Sequence, residues 1–164
     1  MKKLLSLVII ALVIVSCQKN DNTSSVETEI EKSFPAFDSV AAAKYGADAY
    51  GMKTYVMAFL KRGTNDSISS EEAAKLQNAH LKNIRRMADE GKLVLAGPFM
   101  DSGDLRGIYI FDVETIEEAE ALTNTDPSIQ AGVLAMDLKQ WYGSAALMAV
   151  NDLHNTLAEQ SFAE

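Results

Sequence analysis

The chain has only two imidazoles, and one of them, His80, sits where it could move protons. It lies four residues after Leu76 and four before Ile84, on the apolar stripe of a predicted helix that also carries Ala73 and Met87. Side chains three or four apart share a helix face, so His80 points inward with them. Burial penalises an imidazolium and a neighbouring carboxylate favours it; the balance between the two can poise a general base near neutral pH. A core histidine bonded to a backbone carbonyl would occupy the same position. The other histidine, His154, shares helical spacing with Leu147, Val150 and Leu157 and reads as an amphipathic-helix residue. No glycine-rich phosphate loop, metal-ligand cluster or Ser-His-Asp order stands out, so neither a metal nor a cofactor is expected. Met57, Met87, Met100 and Met136 read as core filling rather than a ligand surface.

The only cysteine, Cys17, has a different chemistry. Lys2 and Lys3 precede an apolar run from Leu4 to Val15, broken only by Ser6 and too short for a comfortable membrane span. The run ends in Ile14-Val15-Ser16-Cys17, which resembles the bacterial lipobox: aliphatic positions, a small residue, then the thiol that carries diacylglycerol. The expectation is an exported bacterial lipoprotein. Residues 1–16 would be its signal peptide, and lipid on Cys17 would anchor it in a membrane, the outer membrane on its periplasmic or cell-surface side. Cleavage before Cys17 removes two lysines from a chain of net charge −8, leaving about −10. That charge, with a pI near 4.8, argues against nucleic acid, whose phosphates need clustered Lys and Arg. With Cys17 acylated, no thiol is left for a disulfide, a zinc thiolate or a nucleophile.

The elements that must position His80 follow from periodicity. Residues 17–33 are polar and charged and read as a disordered tether. Residues 34–51 form a short pre-segment, helical from Val40 to Ala49 and stopped around Tyr50-Gly51. Tyr55 to Leu60 is a continuous apolar run, as expected of a strand buried on both faces. Ser69 and Glu72 have the spacing of a capping box and open the helix of His80, which Gly91 ends. Leu93 to Ala96 is a second strand closed by Gly97-Pro98, Asp101 to Asp104 a turn, and Gly107 to Phe111 a third strand. Thr115 and Glu118 repeat the capping box for a helix reaching about Asn124. Asp126-Pro127 has the form of an N-cap followed by proline at the first helical position. Val133 to Leu138 alternates as a fourth strand.

This βαββαβ order predicts a ferredoxin-like α+β domain over residues 52–142, followed by a helical tail over 143–164. Tyr55, Met57 and Phe59 oppose Val56, Ala58 and Leu60, and Tyr109 and Phe111 oppose Ile108 and Ile110. Two helices cover only one face of such a sheet. A second copy of the chain is the simplest cover for the other, so a homodimer is expected. The competing cover is the segment after Gly143.

Ala79-His80-Leu81, Asp89-Glu90-Gly91-Lys92-Leu93, Ala96-Gly97-Pro98, and Asp126-Pro127 with Ala131-Gly132-Val133 together resemble the YciI-like, or YCII-related, domain family. The resemblance runs from about Tyr55 to Trp141 and so spans the predicted core. It implies a ferredoxin-like dimer of the αβ-barrel type, related in fold to muconolactone isomerase, with a cleft holding a His–Asp acid/base pair. Carried over by position, that pair is His80 and Asp126. Asp101, following Gly97-Pro98-Phe99, is a further candidate for the cleft, although turn chemistry accounts for it equally. The expected activity is cofactor-independent proton transfer on a small carbonyl, enol or phenol-like molecule, leading to isomerisation or elimination. The rival expectation is a non-catalytic dimeric lipoprotein that binds a ligand or serves as a scaffold.

Overall fold

In a computed structural model of the chain, residues 35–161 are described. The expected signal peptide, Cys17 and the tether lie outside them. Helix α1, Ser39–Tyr45, starts where the Asp38 carboxylate accepts from Val40 N and Ala41 N. It stops several residues before the expected Tyr50-Gly51. Gly46 takes a left-handed φ of 67° that a side chain would disfavour, and its N–H closes on the carbonyls of Ala42 and Ala43. Asp48 then accepts from Tyr50 N and Met52 N, which turns the chain into the sheet.

The remaining order is β1 (Met52–Arg62), α2 (Ser70–Asp89), β2 (Leu93–Pro98), β3 (Leu105–Phe111), α3 (Ile116–Thr123), α4 (Pro127–Gln130), β4 (Leu134–Ser144), a short 3₁₀ segment (Ala145–Ala149) and α5 (Val150–Leu157). The strands form one sheet in the order β2-β3-β1-β4, with every neighbouring pair antiparallel. This is the ferredoxin-like α+β arrangement that the motif order implied. No described helix is long and apolar enough to cross a membrane.

At the two predicted capping boxes, the side chains of Ser69 and Thr115 both accept from the backbone N–H three residues on. Ser69 accepts from Glu72 N at 3.2 Å. At α3 the box is reciprocal, with Glu118 also accepting from the Thr115 N–H. The strands run longer than their apolar patterns: β1 spans Met52–Arg62 rather than Tyr55 to Leu60, and β4 runs to Ser144, not to about Leu138. Lys139 and Gln140 break the apolar alternation, but pairing with β1 from Arg62↔Leu134 to Met52↔Ser144 supplies the backbone bonds regardless. The C-terminal segment therefore starts as strand before it becomes helix.

Strand parity sets two cores. Val56, Ala58, Leu60, Tyr109 and Phe111 face α2 and α3, where they pack with Ile84, Met87 and Ala119. Tyr55, Val94 and Ile110 face the other way, joined by Met57, Leu95, Trp141, Leu147 and Met148. Leu147 and Met148 belong to the 3₁₀ segment, so the C-terminal segment covers part of the second face. The Tyr55 hydroxyl donates to Ser144 O at 3.1 Å, and Asn151 Nδ2 donates to Leu93 O on β2 at 2.8 Å; both tie the segment down. Trp141 lies over Gly143, where an added Cβ would come within 2.2 Å of its ring.

Candidate active site

His80 stands in the middle of α2 with 7 % of its surface exposed, between the buried face of the helix and the sheet. Asp126 is 1 % exposed and caps α4: its Oδ1 accepts from Ser128 N at 2.8 Å. The other oxygen, Oδ2, lies 2.5 Å from His80 Nδ1. One carboxylate thus does both jobs that the residues allowed, capping a helix with one oxygen and bonding the imidazole with the other. Because the carboxylate only accepts, the Nδ1–H form of His80 is the one that satisfies the contact, and this leaves the Nε2 lone pair facing the opposite way.

That side is occupied by a residue that strand alternation had assigned only to a sheet face. The Tyr109 hydroxyl is 3.3 Å from His80 Nε2, and the two rings stack at 6.3 Å between centroids. Tyr109 is 2 % exposed. Burial first, and the negative charge of Asp126 second, push its phenol far above the ordinary tyrosine range, so it stays protonated and neutral. The available signal was parity: Tyr109 falls on the same sheet face as Phe111, which is the face that α2 covers. Asp126, His80 and Tyr109 thus form a buried row from α4 through α2 to β3. Chemically, it offers one nitrogen that can take up or release a proton and one neutral hydroxyl donor beside it.

Asp101 is not brought to this row. It lies exposed in the β2–β3 turn, where its Oδ1 accepts from Gly103 N at 2.8 Å; the turn chemistry accounts for it. His154 is exposed on α5 and lines a cleft of about 360 Å³ between α2, β2 and the C-terminal segment. A second, open cleft of about 840 Å³ surrounds Lys53, Asp112 and Tyr142. Neither is lined by His80, Asp126 or Tyr109. In the second, Lys53 Nζ pairs with Asp112 at 2.7 Å and the Tyr142 hydroxyl donates to Asp48.

With this geometry in place, comparison with known proteins locates the chain. The YCII-related domain family matches residues 55–142, just over half of the chain, taking in β2, β3 and most of β1 and β4. An uncharacterized protein YjpA of Bacillus subtilis is 27 % identical over 90 residues, covering 55 % of this chain and 95 % of that one. Protein YciI of Escherichia coli is 34 % identical over 73 residues, covering 40 % and 74 %. Among solved structures, a 5-chloro-2-hydroxyhydroquinone dehydrochlorinase from Burkholderia phenoliruptrix, in complex with 2,5-dihydroxybenzoquinone, aligns at a TM-score of 0.41 and 20 % identity, over 52 % of this chain and 92 % of that one. The matched span holds His80, Tyr109 and Asp126 together with the strands and helices that carry them, and the chain belongs to the YCII-related domain family.

Proposed function

We propose that the domain is a cofactor-independent enzyme that moves a proton on a small carbonyl, enol or phenol-like substrate. The observation that supports this is the buried row in which Asp126 Oδ2 meets His80 Nδ1 at 2.5 Å while Nε2 faces the Tyr109 hydroxyl. His80 Nε2 takes a proton from a carbon beside the substrate carbonyl. The electron pair of the broken C–H bond moves onto the oxygen as an enolate, and the Tyr109 hydroxyl, neutral at working pH, hydrogen-bonds that oxygen. Asp126 holds the ring and stabilises the imidazolium that forms. Return of the proton to a different carbon is isomerisation. Collapse of the enolate to a carbon–carbon double bond, with the leaving group departing with the pair of its own bond to carbon and the proton staying on His80 until it is released to water, is elimination.

The test is solvent-deuterium wash-in, followed by proton NMR, on enolisable dicarbonyls and substituted hydroquinones. Wild type should incorporate deuterium at the carbon beside the oxygenated centre, and His80→Ala should slow this at least about 100-fold, the usual contribution of a positioned general base. Equal wash-in by the two folded proteins across the panel would remove the catalytic reading.

A second reading is favoured by the closure of the row in one chain, where Asp126 and Tyr109 are 1 % and 2 % exposed. Here the pair is a core hydrogen bond, and the domain binds or scaffolds without turnover. It predicts that His80→Ala lowers stability and leaves ligand retention unchanged.

The setting of the domain is part of the proposal. Lipid on Cys17 tethers it to a bacterial membrane after export, and palmitate labelling should be lost, and the protein released, in Cys17→Ala. Two copies associate through the part of the second sheet face that Leu147 and Met148 leave open, around Met57, Phe59 and Ile108. Light scattering on the full chain should give twice the monomer mass.

A further inference from the structure

Asp126 reaches His80 from another element, so something must hold the α3–α4 link against α2. The link is fastened on both sides of Asp126. On its C-terminal side Ser128 Oγ donates to Leu76 O at 3.3 Å. On its N-terminal side Arg86 Nη2 donates to Thr125 Oγ1 and to Asn83 Oδ1, each at 2.9 Å, while Arg86 Nη1 donates to both oxygens of Glu90 at 2.8 Å. Thr125 Oγ1 also lies 2.6 Å from Leu122 O, which ties it to the end of α3. Leu76 is one turn before His80 on α2 and Asn83 one turn after it, so the two ties bracket the imidazole.

Asn83 supplies an independent observation. It is 8 % exposed, and its Nδ2 has no hydrogen-bond partner among the described residues. A buried donor left unpaired is unfavourable, and an apolar side chain would fill the same space without it. Turning the amide over would set its NH₂ against the Arg86 guanidinium, donor against donor. The unpaired nitrogen is what remains when the amide oxygen is committed to Arg86 Nη2.

We propose that Arg86 is a positioning residue: through Thr125 and Asn83 it clamps the residue before Asp126 onto α2 and so holds the Asp126 carboxylate at bonding distance from His80. The planar fork matters, because a single ammonium cannot meet Thr125, Asn83 and both oxygens of Glu90 at once. This inference rests on the His80–Asp126 reading of the site.

The readout is the proton affinity of His80, followed by NMR in the full chain labelled at its histidines, with Asp126→Asn as reference. In Asp126→Asn the affinity should fall about tenfold, as expected when an opposite charge within bonding distance is removed. Arg86→Met and Thr125→Val should each lower it at least about threefold toward that reference, and Arg86→Lys should not restore it. The sign is diagnostic, because loss of the Arg86 charge acting directly through space would raise the affinity. A rise or an unchanged titration in Arg86→Met overturns the clamp. If Arg86→Met does not fold, Thr125→Val, which removes one hydroxyl, decides by the same criterion. Should Asp126→Asn itself leave His80 unchanged, the pair and the clamp fall together; a shift there with none in the clamp variants refutes the clamp alone.

Discussion

Replacing Asp126 by asparagine keeps the shape of the side chain and reverses what it can offer His80. The Oδ1 that accepts from Ser128 N at 2.8 Å can stay in place, so the cap of α4 survives. The other end becomes an NH₂ directed at His80 Nδ1, and the ring satisfies it by giving up the proton there. The imidazole should pass from the Nδ1–H to the Nε2–H form, and the Tyr109 hydroxyl, 3.3 Å from Nε2, would then accept rather than donate. A charge-assisted bond worth about 1.5–3 kcal/mol gives way to a neutral one worth about 0.5–1.5, so the loss in stability is about 1 kcal/mol. For a domain of this size that lowers Tm by about 4 °C. Asp126→Ala differs in kind. It removes the cap, about 1 kcal/mol, and leaves the buried Nδ1 unpaired, about 1–3 kcal/mol, for a total of about 2–4. Long-range ¹H–¹⁵N correlation spectra read the tautomer directly, and chemical denaturation reads the two stabilities. Retention of the Nδ1–H form in Asp126→Asn, or equal destabilisation by Asn and Ala, would refute this account of the pair.

Other outcomes follow from the same structure. Tyr109 keeps its proton in the fold while an unfolded tyrosine loses it near pH 10, so the native state binds the extra proton above that pH. Stability from this group is complete below about pH 10 and is lost as pH rises beyond it, and Tyr109→Phe should flatten the alkaline limb of an unfolding-versus-pH curve. Leu147→Asp should strip cover from Trp141, the single tryptophan, shifting its emission to the red and costing about 1–3 kcal/mol in denaturant titrations. Gly107→Ala brings a Cβ within 2.5 Å of Gly97 O across the β2–β3 pair, so thermal melts should show a loss of about 1–3 kcal/mol.

The order of elements was open to reading from the sequence because each depends on local rules. Period-2 alternation in β1 and β3 assigned Tyr55 and Val56 to opposite faces, and the 3.6-residue stripe turned His80 inward with Ile84 and Met87. Ser69, Thr115 and Asp126 were legible as caps, since a cap needs only the residue and its next three neighbours. What lies far apart in the chain was decided in three dimensions. The meeting of His80 with Asp126, 46 residues away, was implied only by family resemblance, and Tyr109 was missed because parity gives a side chain its face and not its neighbour across the layer. The length of β4 depended on its partner: β1 supplies hydrogen bonds through Lys139 and Gln140, where the side-chain pattern had stopped. The cover of the second sheet face was likewise undetermined, because an apolar face specifies burial without specifying by what. Packing gives part of that face to Leu147 and Met148 of the same chain, since a segment already attached reaches it with little of the entropy loss that a separate molecule incurs.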